Sequence, residues 1–480
     1  MKKIQKKKIL NIVYIIIFLV ISIVPMAAFS DKQAAIGNET KADKPKLSAG
    51  VELTADIDVY FAQNFGFRNR LVYVQNVLKQ KLFKTSGQSE VIVGEDGWLF
   101  YSRALDDFLG TSVADETEIE RMGAVVGMMQ EYVESRGGEF IFFSAPDKMS
   151  VYGEYMPYYY IEGSGQGNYE LLYNELVNAG VNTVQLKNAL SLEKLEKVQL
   201  YHKLDSHWNN YGAAVAYEAV AERLFDIYGD EYEGYTAYCD MPYSVRKDFP
   251  GDLQSMLLPG SSKGDEQVYF AADDGFEYTN RFRSVEDLVI TTANEAPAVD
   301  KPVTLFRDSF GNALYWFFAN EYGSLTAKRE IPYNIYVAAN ESELVAVELV
   351  ERNLKNLLVY TPIVPSINLG RDYFAETERA AADAGYTADA VISITTTSDG
   401  LMQLSGSCDA LNDYAYIYLT VDGAGTYQVL PSENGADFTL YLEEADADIF
   451  KAAFRSAACS FVVRGENGYI RIPANVTLQD

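Results

Sequence analysis

Between about residue 119 and residue 360, short uninterrupted apolar runs alternate with segments whose apolar residues recur at helical spacing. Few folds accept that pattern. Ile119, Met122, Val126, Met129 and Val133 lie on one helical face, Gly137-Gly138 closes the helix, and Phe140-Ile141-Phe142-Phe143 follows as a buried strand. The order recurs, with helix at Leu171 to Ala179, strand at Val181 to Leu186 and helix at Gly212 to Leu224. Further on, the readings are strand at Val303 to Phe306, helix at Gly311 to Phe318, helix at Glu343 to Leu354 and strand at Leu357 to Tyr360. Strands that lack alternation are covered on both faces, so the expected core is α/β, a parallel sheet flanked by helices. Before it, Val91 to Phe100 reads as a strand, a tight turn on Gly94 and Gly97, and a second strand.

From about Ala390 the pattern changes to short runs rich in β-branched and aromatic residues, from Val391 to Thr395 through Tyr469 to Ile472, separated by turns such as Asp422-Gly423 and Asn434-Gly435. An all-β, sandwich-like accessory domain is expected there, serving polymer binding or acting as a stabilising spacer. At the other end, Lys2, Lys3, Lys6, Lys7 and Lys8 precede an apolar run from Ile9 to Phe29, long enough to span a bilayer. The lysines orient the rest of the chain outside the cytoplasm. The run's length favours a retained anchor, and Ala28-Phe29-Ser30 also suits signal-peptide cleavage. The expected divisions are a signal or anchor at 1–30, a Lys-, Ala- and Gly-rich linker at 31–50, an α/β domain at 51–388 and a β-rich domain at 389–480.

Composition excludes several roles. A formal charge of −28 would repel a phosphate backbone, so no nucleic-acid partner is expected. The three cysteines, Cys239, Cys408 and Cys459, allow at most one intrachain disulfide. No paired His or Cys-x-x-Cys arrangement is present, and neither metal nor cofactor is expected.

The chemistry-bearing stretches are Leu204-Asp205-Ser206-His207-Trp208-Asn209 and Phe306-Arg307-Asp308-Ser309-Phe310-Gly311. A hydroxyl nucleophile needs a base to take its proton, and the base needs a partner to fix its tautomer. With only two histidines in 480 residues, the candidate for that base is His207. Asp205, two residues away, projects to the same side of an extended segment, and Asn209 is placed to cap the helix that follows. Ser309 falls at a strand-to-helix turn, where open α/β sheets put their sites. There the N–H groups of Ser309, Phe310 and Gly311 would face a developing oxyanion. Asp308-Ser309 also suits plain helix capping, and Asp205 to His207 a plain polar loop. Trp208 is expected as a core anchor behind the loop, with the border of an acceptor site as its alternative, and His202 on the surface.

Asp-x-His-Trp-Asn-x-x-Gly-Ala, as Asp205 to Ala213, with a downstream Arg307-Asp308-Ser309-Phe310, resembles the exported SGNH-hydrolase-like family of AlgX/AlgJ alginate O-acetyltransferases and the related DHHW proteins. Gly94 to Phe100, Pro146-Asp147-Lys148 and Gly251-Asp252-Leu253 fit the same pattern. Arg307 stands where that family more usually has Gly, and Ser206-His207 departs from the strict DHHW signature at its second position. The resemblance implies an SGNH-hydrolase-like fold and a Ser309, His207, Asp205 triad passing an acetyl group through an acyl-serine to hydroxyls of an exported polysaccharide. Arg307 and Trp208 become candidate substrate contacts, and a multispanning membrane acyltransferase the implied donor partner. An esterase with the same triad and a non-catalytic glycan-binding surface protein stand as alternatives.

Overall fold

The computed structural model describes residues 2–30, 36, 41–45, 52–370, 373–374, 385–454, 458–465 and 468–479. Most of the expected linker at 31–50 lies outside them. Three helices come first: α1 (Lys2–Ala27), α2 (Glu52–Asn64) and α3 (Arg68–Phe83). The β1 (Val91–Val93) and β2 (Leu99–Tyr101) hairpin follows, then α4 (Leu105–Leu109), α5 (Glu116–Ser135), β3 (Glu139–Ala145), α6 (Lys148–Tyr152) and α7 (Asn168–Asn178). Next are β4 (Thr183–Val184), α8 (Leu186–Lys194), α9 (Asn210–Tyr228), β5 (Tyr243–Phe249), α10 (Asp252–Leu257), β6 (Asp265–Phe270), β7 (Glu277–Tyr278) and β8 (Val289–Ala293). The α/β part ends with β9 (Val299–Phe306), α11 (Gly311–Glu321), β10 (Tyr322–Lys328), α12 (Ile335–Glu341), β11 (Leu344–Val350) and α13 (Asn356–Val359).

Seven of these strands form one sheet in the order β4-β3-β11-β9-β10-β8-β7. The first five run parallel, and β8 and β7 add an antiparallel edge. Alternation of side chains sorts the two faces. Ile141, Phe143, Leu305 and Ala346 pack with α9 and α11, whereas Phe140, Phe142, Phe306, Val345 and Val347 pack with α5, α7 and α12.

Two expectations exchange places. Glu343 to Leu354, read as helix, is mainly the central strand β11, all seven of whose residues are buried; Leu357 to Tyr360, read as strand, falls largely in the short helix α13. A strand covered on both faces has no alternation to distinguish it from a buried helix, and only its pairing with β3 and β9 decides the matter. The strand expected over Val181 to Leu186 shrinks to Thr183–Val184, because α8 begins at Leu186.

The C-terminal part comprises β12 (Ala388–Thr396), β13 (Met402–Ser407), β14 (Ile417–Val421), β15 (Gly425–Pro431), β16 (Asp437–Leu442), α14 (Glu444–Phe454), β17 (Cys459–Gly465) and β18 (Gly468–Leu478). It is all-β as expected except for α14, and its strands close into a barrel where two facing sheets were expected. Parallel pairing of β12 with β18 removes the free edges. The barrel rests on the α/β part: Tyr132 donates to Glu443 Oε1 (2.7 Å), Tyr416 donates to Glu175 Oε1 (2.9 Å), and Leu401, Leu430 and Tyr441 join the core around α5. All three cysteines are unbridged.

Candidate active site

The site forms beyond the carboxyl ends of the parallel strands, where β9 gives way to α11 and the segment after α8 enters α9. Residues 200–209 are held as a tight loop by a bridge between Tyr201 and Trp208, and Asn209 caps α9 by accepting the Gly212 N–H (3.0 Å). Only glycine fits at 212, since a Cβ there would lie 2.3 Å from the Leu200 carbonyl oxygen. The loop therefore sits on a rigid helix.

His207 Nε2 lies 2.8 Å from Ser309 Oγ, and its Nδ1 lies 2.7 Å from Asp205 Oδ1. All three expected residues meet, in the relation a nucleophile, base and orienting carboxylate require. Asp205 Oδ1 also accepts the His207 backbone N–H (3.0 Å), and Oδ2 accepts the Asp252 N–H (2.7 Å). Burial works against ionising Asp205, but the His207 ring and these bonds outweigh it and hold the carboxyl below its ordinary range. His207 shows the opposite balance. Burial lowers its pKa, yet the charges of Asp205 and Asp252 carry it above 6.5.

Asp252 is a member of the site that motif reasoning placed only by resemblance. Its Oδ2 accepts the Ser206 hydroxyl (2.6 Å) and its Oδ1 the Ser206 N–H (2.8 Å). Gly251 lets α10 approach this closely, because a Cβ there would stand 2.2 Å from the Leu204 carbonyl oxygen. Burial and the Asp205 charge push the Asp252 carboxyl up to about 6. Among the described residues, Asp205, His207 and Asp252 are the one such trio with ligand atoms within 4.8 Å of one another. Their oxygens are already committed to the bonds above, so the cluster suits proton transfer better than metal binding.

Lys148, from the Pro146-Asp147-Lys148 motif, supports the loop from below. Its buried ammonium donates to the carbonyl oxygens of Asp205 (2.5 Å) and His202 (3.0 Å), and burial pushes it down to about 8. Its neighbour Asp147 pairs with Arg352, whose guanidinium covers the rings of Phe310 and Tyr101. Lys148→Met is expected to orphan both carbonyls and cost about 2–4 kcal/mol, read as a lower denaturant midpoint at unchanged m.

The serine turn corrects two expected roles. Phe310 N–H is committed to Asp308 Oδ1 (2.8 Å), while Asp308 Oδ2 accepts the Val350 N–H (2.9 Å), so Asp308 ties the turn to β11. Phe310 therefore serves as a buried wedge, its carbonyl accepting the Trp208 indole N–H (3.0 Å), and supplies no oxyanion donor. Arg307 is buried behind the cavity wall and is not among its lining residues; it donates to the carbonyls of Val285 (3.0 Å) and Asp287 (3.1 Å) and to Asn312 Oδ1 (2.5 Å). It packs so close under Gly311 that a Cβ there would fall 2.5 Å from its own Cβ. Trp208 is the expected core anchor, 1% exposed, and also borders the cavity.

His202 is a further correction. Expected on the surface, it is 1% exposed, stacked on Phe249 at 3.9 Å, with Nδ1 2.8 Å from the Glu266 carbonyl oxygen. Strands brought in from residues 249 and 266 bury it, and nothing local announced them. It joins Tyr101, Arg103, Asp252 and the triad around a cavity of about 860 Å³. A second chamber of about 320 Å³ shares Asn210, Val285, Asn312 and Ala313 with the first and adds Tyr269 and Trp316.

The pH profile tests the imidazole. His207 must be neutral to accept the Ser309 proton, and its pKa is raised, so kcat/KM is expected to rise with pH through a midpoint above 6.5. Asp252→Asn, which removes one of the raising charges, should move that midpoint down.

Comparison with known proteins places residues 91–287 in a match to the family model "SGNH hydrolase-like domain, acetyltransferase AlgX". The probable alginate O-acetylase AlgJ of Pseudomonas fluorescens is 23% identical over 217 residues, 45% of this chain and 53% of that protein, so the chain spans about half that relative's length. Bacillus cereus PatB1 is 17% identical, with 55% of this chain and 96% of that one covered and a TM-score of 0.43. A DHHW family protein from Eubacterium siraeum is 14% identical, with 56% and 93% covered and a TM-score of 0.40. Asp205, His207 and Asp252 lie inside the family match and Ser309 lies beyond its end; over residues 91–287 the chain is similar to the SGNH hydrolase-like domain of the acetyltransferase AlgX.

Proposed function

We propose that this protein is an extracytoplasmic O-acetyltransferase, held in the membrane by α1, that moves an acetyl group through Ser309 onto hydroxyls of an exported polysaccharide. The observation that carries the reading is the Ser309–His207–Asp205 chain of contacts at 2.8 and 2.7 Å. Ser309 Oγ attacks the acetyl carbonyl carbon of the donor while its proton passes to His207 Nε2. Collapse of the tetrahedral intermediate releases the donor's leaving group, which takes that proton, and leaves acetyl-Ser309. A sugar hydroxyl then attacks the acyl-serine, its proton passing through Nε2 back to Ser309 Oγ. With Phe310 engaged by Asp308, the N–H groups of Ser309 and Gly311 are the proposed oxyanion donors.

Two further features support this reading. The chamber carrying Tyr269 and Trp316 extends the cavity away from Ser309, which gives room for more than one sugar ring. The apolar stretch Ile9–Ala27 of α1 is long and apolar enough to cross a bilayer, and its side chains are exposed. The proposed donor partner is a multispanning membrane acyltransferase. Because Ser309 is only half-buried in a wide cavity, an esterase that uses water as acceptor is the second reading.

The test is to incubate the purified protein with an activated acetyl ester, with and without oligosaccharides. Acetylated sugar together with acetyl-Ser309 in the peptide mass map is the expected result. Acetate release alone would favour the esterase, and a chain never acylated at Ser309 would exclude both.

A further inference from the structure

Helix α3 wears its amphipathic pattern inside out. Asn69, Val72, Asn76 and Gln80 face the protein, with Asn76 fully buried and its Nδ2–H donating to the Leu257 carbonyl (2.6 Å) at the end of α10. On the opposite side Phe67, Leu71, Val74, Leu78 and Leu82 are 44 to 69% exposed. At about 100° per residue these five fall within about 80° of the circumference, a stripe about 24 Å long for a sixteen-residue helix. The helix also has four basic side chains, Arg68, Arg70, Lys79 and Lys81, and no acidic one, in a chain whose net charge is −28.

The position of α3 is as informative as its pattern. The elbow between α2 and α3 is fastened to the end of α1: Gly66 N–H donates to the Pro25 carbonyl (3.1 Å), Ser30 N–H donates to the Asn64 carbonyl (3.1 Å), and Phe29 packs on Tyr60 and Phe61 with centroids 5.9 and 5.8 Å apart. Phe67 holds the elbow in a left-handed conformation, φ 61°, rare for a bulky residue. The apolar stripe therefore starts where the bilayer-length apolar stretch ends.

We infer that α3 lies along the outer face of the bilayer that α1 crosses, with its Phe67-to-Leu82 stripe at the level of the acyl chains and its Arg and Lys side chains among anionic headgroups. This inference rests on the reading of α1 as a membrane anchor. Charge complementarity selects the partner. A basic, apolar-striped helix in an acidic protein is attracted to anionic lipid, from which the rest of the surface is repelled.

The test uses the full chain reconstituted into vesicles of phosphatidylglycerol and phosphatidylcholine in equal parts, with brominated acyl chains as quencher. Val74→Trp and Leu78→Trp are compared with Leu192→Trp, an exposed apolar position on α8; the native Trp98, Trp208 and Trp316 give the same background in each. The α3 tryptophans are expected to lose most of their added fluorescence, and Leu192→Trp little. Quenching should weaken in phosphatidylcholine alone. Flotation with the vesicles separates the two layers of the argument. A chain that fails to float removes the anchor and this inference with it; a chain that floats with its α3 tryptophans unquenched overturns the inference and leaves the anchor standing. Equal quenching in both lipids would overturn the anionic preference. Unchanged acetyl-ester turnover in the variants shows that the fold is kept.

Discussion

Ser309→Ala is expected to abolish acyl-enzyme formation and lower turnover on the order of 10⁴- to 10⁶-fold, and His207→Ala should do nearly the same. The double variant should be no worse than either single one. The base facing Ser309 Oγ is His207 Nε2 at 2.8 Å, and the hydroxyl that this nitrogen serves is that of Ser309. Removing either member ends the same proton transfer, so a second loss has nothing left to remove. Burst-phase kinetics with an activated acetyl ester measure this directly. Losses that multiplied in the double variant would mean that the two residues act in separate steps, contrary to the proposed triad. Ser309 is half-buried in an open cavity, so its alanine variant should unfold at the wild-type denaturant concentration.

Asp205→Asn is expected to cost roughly 10⁴-fold in rate while the fold survives. The carboxylate accepts on both oxygens, the His207 Nδ1–H and backbone N–H on Oδ1 and the Asp252 N–H on Oδ2. An amide has one accepting oxygen. If that oxygen stays with His207, the new NH₂ opposes the Asp252 N–H; if it turns to Asp252, the NH₂ faces Nδ1 and drives the ring proton to Nε2, where it blocks the serine. Either arrangement sets the amide NH₂ against a backbone N–H, that of Asp252 in the first and that of His207 in the second, and the second also selects the wrong tautomer. The substitution also removes the leading charge that raises the His207 pKa, so the residual activity should titrate at lower pH than the wild type. A variant that kept both its rate and its pH midpoint would show that Asp205 has no part in the chemistry.

Much of the site was legible because its parts are local. Asp205, His207 and Asn209 lie within five residues, and their spacing alone places a carboxylate beside a ring and a cap at the start of α9. Ser309 was legible from the strand-to-helix change around it. What escaped was set by distant chain. Asp252 reaches the triad because Gly251 lets α10 touch the Leu204 carbonyl, a contact across 47 residues. His202 is buried by residues near 249 and 266. Phe310 lost its expected role to Asp308, whose carboxylate is claimed at once by its own turn and by β11. The same cause explains the fold. β11 reads as a helix until β3 and β9 flank it, and closure of the C-terminal barrel depends on pairing residues 388–392 with 474–478, the two ends of that segment.

Helix α10 has Asp252 beside the triad at one end and Leu257 seated on Asn76 of α3 at the other, five residues or about 7.5 Å apart. So short a strut links the loop that carries Asp205 and His207 directly to the N-terminal helices. With those helices fastened to a bilayer as inferred above, encounters with the proposed membrane-borne donor would take place within a thin layer instead of in bulk solution. Tethering of that kind sets the local donor concentration by geometry, in the millimolar range for short connections. A donor contact too weak to detect in solution would then be sufficient to reload the enzyme between acceptors.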